Sequence, residues 1–384
     1  MAGTHPTESP TEQRHRRSWF TGRLVAFCLA STAITVVAGL IQVSFGSYSM
    51  TIGQAWSAVV DPDILFDPAV WNAFLLGGDL PEMDNASLIV WNIRLPRVFV
   101  AALTGSTLGV SGAIFQAVTR NELASPYILG VSSGAGLAVL LTLVVFPSVT
   151  IVVPLFVGQF VFDTSSMLPL IAAAGGAIAF ALVYAIAWKG GTSPVRLVLA
   201  GVIVGTVFQS LQTGVFFFAD DLGVVQSAIA WTTGSLTGTD WEQVRLAILP
   251  ATLAIVLALL GARQLNVLLL GERTAQSLGM RVERVRFLLS GVAILAASTA
   301  IAVAGIVGFV GLIVPHVVRN VVGGDYRRLM IGSIFAGPAL MVVADVGARL
   351  ALSPVQVPVG VVTGLIGGPY FLYLMRRQQQ MGEI

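Results

Sequence analysis

The chain has 384 residues, of which 55% are hydrophobic and 10% charged, with a formal net charge of +2 and a mean hydropathy of +0.86. A water-soluble domain of this length carries about a quarter charged residues, so composition excludes a soluble globular protein and makes lipid the solvent. No nucleic-acid partner is expected.

Lipid solvates no unpaired backbone group, which restricts spanning structure to helices or a closed barrel. Barrel strands are short and alternating, whereas this sequence holds continuous apolar runs of roughly 20 residues, the length of a spanning helix. The expected fold class is therefore an all-α polytopic membrane protein.

Residues 1–23 read as a disordered cytoplasmic tail. Arg14, Arg16 and Arg17 precede an apolar run at 24–45, which is too long for the ~7–15-residue core of a cleaved signal peptide. It is taken as the first span. The single cysteine, Cys28, lies within it and excludes both an intrachain disulfide and a cysteine-clustered metal site. The next segment, 46–93, is long and acidic, with Asp61, Asp63, Asp67, Asp79, Glu82 and Asp84, yet short for a separate domain.

Further apolar runs follow at 98–118, 127–146, 167–188, 197–218, 244–261, 285–304, 306–322, 329–347 and 358–375. They give about ten spans in a single ten-helix domain over 24–375, with a cytoplasmic tail at 376–384. With both termini inside, 17 of the 21 basic residues fall in cytoplasmic segments; Arg94, Arg97, Arg245 and Arg349 are the exceptions. The positive-inside rule fixes orientation and parity. An additional span at 147–162 would place the basic 263–286 and 319–328 loops outside, so that uncharged segment reads as outer-surface structure.

The seven tryptophans sit near span ends or in outer segments, as an aromatic belt would. Pairs one turn apart, Gly105/Gly109, Gly201/Gly205 and Gly360/Gly364, suit close helix packing. Residues 112–121 (GAIFQAVTRN) and 311–320 (GLIVPHVVRN) agree at five of ten positions. Duplicated halves or convergence at one membrane face would each produce that echo.

No G-x-x-x-x-G-K-[ST] occurs, and the one lysine, Lys189, follows Trp188, so the chain holds no P-loop for ATP. No His, Cys or carboxylate spacing suits a metal, and His316 after Pro315 reads as a local helix feature. Ion-coupled carriers keep carboxylates or His at mid-membrane; acidic residues are nearly absent from these span centres, which points to an energy source on a partner ATPase.

The segment 105–137, GSTLGVSGAIFQAVTRNELASPYILGVSSGAGL, carries Gly105, Leu108, Ser111, Gly112, Gln116, Arg120, Asn121, Leu123, Ala124, Pro126, Leu129 and Gly130. It resembles the hallmark of the FecCD-type permeases, the membrane subunits of type II ABC importers for iron-siderophores, haem and cobalamin. WTTGSLTGTDW from Trp231, LNVLLLGERTAQSLGMR from Leu265, GFVGLIVPHVVRNVVGGDYRRL from Gly308 and ADVGAR from Ala344 resemble it too, in order over about 24–375. Glu122 stands where the family has proline, and Gln356 where it usually has glutamate.

The resemblance implies the type II ABC importer permease fold of ten helices. It implies a second permease subunit, identical or paralogous, and two ATP-binding subunits that hold ATP and Mg. An extracytoplasmic substrate-binding protein completes the set, with lipid around the whole in the cell membrane. The chain itself would bind no cofactor and catalyse no covalent step.

Roles carried over residue by residue are expectations. Arg94, Arg97 and Arg349, basic residues on the outer side, would dock the binding protein through partners of opposite sign; such rim charges steer encounter and orientation. Lipid phosphates are the other explanation for them. GERTAQSLGM (271–280), with Gly271, Glu272, Arg273, Ala275, Leu278 and Gly279, would be the coupling helix seated on the ATPase. Gly191, Thr192 and Ser193, in an inner turn where glycine permits unusual geometry, would form the cytoplasmic gate. Gln209 and Gln212 are candidates for the pathway wall. The expected cargo is a ferric siderophore, with haem, cobalamin or another chelate as alternatives. An ion-coupled carrier, a membrane-embedded enzyme and an ABC exporter are the competing classes.

Overall fold

The computed structural model of the chain describes residues 19–45, 50–78, 80–146, 151–155, 158–162, 164–189, 193–218, 222–352 and 355–380. Helix α1 (Gly22–Ser44) starts at Thr21, whose hydroxyl accepts from the Leu24 N–H. The acidic segment then folds into four short helices, α2 (Ile52–Val59), α3 (Pro62–Leu65), α4 (Pro68–Leu76) and α5 (Asn85–Ile89). Much of its acidity has a local cause. Asp61, Asp67 and Asp84 each accept a backbone N–H at the start of one of these helices, satisfying donors that a helix N-terminus leaves open.

A π-helical turn, Val90–Arg94, runs directly into α6 (Leu95–Thr119). The short helices are seated by aromatic rings. Phe74 stacks on Trp241 at 4.6 Å and on Trp91 at 6.0 Å. The indole of Trp91 donates to the Ala58 carbonyl and that of Trp241 to the Trp91 carbonyl, each at 2.7 Å. The tryptophans therefore have apolar faces packed and N–H groups satisfied. Three of the seven, Trp71, Trp91 and Trp241, form this internal seat rather than a lipid-facing belt.

The remaining helices are α7 (Val131–Val145), α8 (Thr164–Ala187), α9 (Pro194–Phe216), α10 (Leu222–Thr233), α11 (Trp241–Leu269), α12 (Glu272–Ser277), α13 (Val282–Ala304), α14 (Val310–Val322), α15 (Tyr326–Leu350) and α16 (Val359–Gln380). Among the described residues, seven helices are long and apolar enough to cross a membrane, and α7, α14 and α16 are shorter apolar ones. These ten coincide with the ten expected spans. The segment kept out of the membrane on charge grounds forms, among its described residues, an antiparallel hairpin of β1 (Ile151–Leu155) and β2 (Gly158–Phe162). Helix α16 continues to Gln380, into the expected tail.

Helix α6 is the axis of the bundle. Its apolar window is 78% buried, against 22% for α1 and 28% for α9, so α6 meets protein and the other two meet lipid or another chain. Glycine sets the closest approaches to α6. A side chain at Gly105 would meet the Gly337 carbonyl, and one at Gly112 the Gly311 carbonyl. Gly112 and Gly311 are the first residues of the two echoing decapeptides, so the equivalent ends of the echo touch each other. Gly109 and Gly201 are crowded too, though less closely, whereas Gly364 meets nothing within 4 Å.

Helix α10, between spans, has no counterpart among the expected elements. Its end is tied to the break between α13 and α14. The Ile306 N–H donates to the Trp231 carbonyl at 2.8 Å, and Ser235 N–H to Ala304 at 2.9 Å. Gly360 N–H then donates to Gly234 at 3.1 Å. Irregular backbone inside a membrane protein persists only where protein satisfies it in this way.

Candidate functional site

Helices alternate in direction, so polar residues gather at two ends. At one end, the starts of α6 and the ends of α1 and α15 meet. Arg97 forms a fork on Asp345, with Nε to Oδ2 and Nη2 to Oδ1 both at 2.8 Å. Its third group, Nη1, donates to Gln356 Oε1 at 2.9 Å, and the Thr237 hydroxyl donates to the same oxygen at 3.2 Å. Gln42 also donates to Asp345. Arg94 donates to the Val43 carbonyl, and Arg349 to the Gln42 carbonyl at 3.1 Å.

The three arginines thus do converge, with Thr237, Thr239 and Gln356, around a cavity of about 350 Å³. Their environment differs from the expectation of outer charges whose partners lie on another molecule. Arg94 and Arg97 are only 3% and 7% exposed, and Arg97 already has an anionic partner within the chain. Asp345 is the residue sequence reasoning missed. A carboxylate inside an apolar span needs a cation, and that was the signal available in ADVGAR. Gln356 acquires a role as well, since the usual glutamate would bring a second carboxylate to Arg97.

At the other end, α12 hangs below the bundle between Gly271 and Gly279, which adopt left-handed φ of 103° and 81°. Its Ala275 is fully buried. Glu272 turns inward: Arg286 Nη2 donates to it at 2.7 Å, and Arg120 lies 4.0 Å away. Arg286 is itself buried and also donates to Glu283 at 2.9 Å. Tyr184 of α8 donates to the other oxygen of Glu283 at 2.9 Å. Arg273 and Leu278 remain exposed. The short helix is therefore clamped to α13, with links to α6 and α8, and presents Arg273 and Leu278 outward.

Beside it, Glu122 lies 3.3 Å from Arg319 and 4.0 Å from His316. Arg319 also donates to Gln116 at 2.9 Å. The substitution at 122 thus introduces an ion pair with α14, and the motif residues Gln116 and Arg319, 203 positions apart, meet.

Of the inner turn, Gly191 and Thr192 lie outside the described residues. Ser193 is the residue before α9, with φ −101° and ψ 136°. Gln212 is buried and donates to the Ser133 carbonyl at 2.7 Å, so it braces α7. Gln209 is exposed, along with Thr206, Ser210 and Thr213 on the same helix. Among the described residues no group of three or more His, Cys, Asp or Glu side chains could hold a metal ion.

The sequence profile of the FecCD transport family matches residues 34–377. The Fe(3+)-citrate import system permease protein YfmD of Bacillus subtilis is 40% identical over 301 residues, 78% of this chain and 84% of that protein. The cobalamin import system permease protein BtuC of Halobacterium salinarum is 39% identical, covering 81% of this chain and 80% of that protein. Among solved structures, a metal-chelate type ABC transporter in an inward-facing conformation superposes with a TM-score of 0.73 at 25% identity. That match covers 92% of this chain and 99% of the other.

Proposed function

The chain belongs to the FecCD transport family, and on that premise we propose that it is the membrane-spanning permease subunit of an ABC importer for iron chelates. The observation that carries the reading is the match of residues 34–377 to that family; two separate polar clusters, one around Arg97 and Asp345 and one around Glu272 and Arg286, support assigning docking to one end of the bundle and coupling to the other. The end bearing Arg120, Glu272 and Arg319 faces the cytoplasm, in keeping with the positive-inside rule. The end bearing Arg94, Arg97 and Arg349 faces outward.

A loaded binding protein docks on the outer end. Acidic groups on it approach the cavity walled by Arg94, Arg97 and Arg349, where charge orients the encounter. Cargo passes into a cavity shared with a second permease subunit. The exposed polar stripe of α9, Thr206, Gln209, Ser210 and Thr213, is costly against lipid and is suited to that water-filled or subunit-facing wall. Ser193, with Gly191 and Thr192, belongs to the inner gate.

Two partner ATPases bind and hydrolyse ATP with Mg, and this chain holds no ATPase site. Their closure moves α12 through Arg273 and Leu278. The Glu272–Arg286–Glu283–Tyr184 chain passes that movement to α13 and α8. The cargo is an iron(III) siderophore or citrate complex. Cobalamin is the second reading, favoured by the likeness to the Halobacterium permease.

Reconstitution with the cognate ATPase and binding protein in liposomes tests this. Uptake of labelled ferric siderophore or citrate that requires both ATP and the binding protein is the expected result. Uptake driven by an ion gradient alone overturns the importer class. ATPase stimulation without iron uptake moves the cargo to cobalamin.

A further inference from the structure

The turn from α6 to α7 carries two charges, on either side of Asn121, that face different neighbours. Arg120 lies 4.0 Å from Glu272 of α12, while Glu122 lies 3.3 Å from Arg319 of α14. The turn itself is stiff. Arg120 closes α6 in the left-handed conformation, with φ 49° and ψ 37°, and its N–H donates to the Ala117 and Gln116 carbonyls. A non-glycine residue persists there only where its surroundings hold it. The Asn121 N–H donates to the Gln116 carbonyl at 3.1 Å, and the Asn121 carbonyl accepts from Ala124 at 3.0 Å. Its side-chain oxygen accepts from the Leu123 N–H at 2.9 Å. Arg120 and Glu122 are therefore held at a fixed spacing.

Helix α14 is in turn fastened to other moving parts. Arg319 also donates to Gln116 at the end of α6. His316 lies 4.0 Å from the second oxygen of Glu122, and its ring packs on Tyr370 and Phe371 of α16 at 6.1 and 6.3 Å. At the opposite end, α14 starts from the break that is bonded to the end of α10, and the Phe309 ring there fills the space over Gly367 of α16. A shift of α14 is thus felt by α16 along its length and by α10 at the far end, because packed rings and backbone bonds join them.

We propose that Glu122 is a positioning residue for transport, whose ion pair with Arg319 passes the movement of α12, received at Arg120, through the α6–α7 turn to α14. From α14 it reaches α16 and the end of α10. This route is separate from the one through Arg286 to α13 and α8. A proline at 122, as the family has, would offer Arg319 no carboxylate, so the link is particular to this chain. The inference rests on the importer reading.

The complete importer in liposomes, with its cognate ATPase and binding protein, tests it when uptake and ATP hydrolysis are measured in the same vesicles. The cargo is ferric citrate, ferric siderophore or cobalamin, whichever the wild type takes up. The Glu122 side chain is 55% exposed, so Glu122→Gln is expected to leave the melting temperature and ATP hydrolysis unchanged. Uptake per ATP hydrolysed is expected to fall about fivefold, the scale of a lost, partly exposed ion pair. Arg319→Gln is expected to lower the same ratio, and Glu122→Gln added to it to lower the ratio no further, since the two residues act as one pair. A purely structural role would move the melting temperature and leave the ratio alone. An unchanged ratio in Glu122→Gln overturns the proposal, as do additive losses in the double variant or hydrolysis that falls in step with uptake. Wild-type vesicles that take up none of the three cargoes with ATP overturn the importer reading itself, a result seen before any variant is compared.

Discussion

Asp345 illustrates how much a single buried charge constrains this protein. It is fully buried and accepts from both Arg97 and Gln42, so α1, α6 and α15 share one polar knot at the outer end. Removing one partner of such a pair strands the other, at a cost of about 3–5 kcal/mol. Asp345→Ala is therefore expected to unfold at markedly lower temperature in detergent. Asp345→Asn combined with Gln356→Glu should recover part of the loss of Asp345→Asn alone, because Gln356 already accepts from Arg97. No recovery would show that position 356 does not share the charge of Arg97.

The same geometry decides how docking can be probed. Reversing Arg94 and Arg97 together would place a glutamate against Asp345, so loss of transport in that variant would report misfolding as readily as lost docking. Arg349 is half-buried and holds only a backbone carbonyl among the bonds described for it. Arg349→Gln is expected to slow association of the cognate binding protein about tenfold at low salt, an effect that shrinks as salt rises. An unchanged association rate would remove Arg349 from the docking surface.

At the scale of elements, the coupling assignment concerns six helical residues with one face anchored and one face open. Ala275 and Glu272 face the bundle, and Arg273 and Leu278 face away. Single cysteines at 273 and 278 should crosslink to the partner ATPase, whereas a cysteine at 275 should not. Crosslinking at all three positions would mean that the helix does not keep this orientation. Arg286→Gln cuts the link to Glu272 and Glu283. It is expected to leave basal ATP hydrolysis of the assembled complex intact while uptake falls about tenfold or more, since a buried charge-assisted network is lost.

For the whole molecule, α9 shows which face lacks a partner among the described residues. It is a spanning helix with little burial, yet it exposes Gln209 between Thr206 and Thr213. A cysteine at 209 should crosslink two permease subunits in the assembled complex and change its yield with nucleotide. Absence of any crosslink between permeases would place this stripe elsewhere. The contact of Gly112 with Gly311 belongs to this scale too, because the echoing decapeptides begin at the point where α6 and α14 cross. Two related halves meeting about an axis through that crossing would produce such a contact.

Hydropathy and charge alone determined the ten spans and the exclusion of 147–162 from them, because the cost of unpaired backbone and misplaced arginine in lipid is local and additive. Spacing along 105–137 and 265–281 was enough to place the family's motifs. The tertiary structure decided what those residues touch. The pairing of Arg97 with Asp345, of Gln116 with Arg319 and of Gln212 with Ser133 joins positions 248, 203 and 79 residues apart. No periodicity records such contacts. Helix α10 escaped the sequence reading for a related reason: its 12 residues are too few to span a membrane, and its end is held by backbone bonds to the α13–α14 break, beside the bond from Gly360 to Gly234. Burial of a charge depends on which helices cross beside it, and that is settled only when the chain packs.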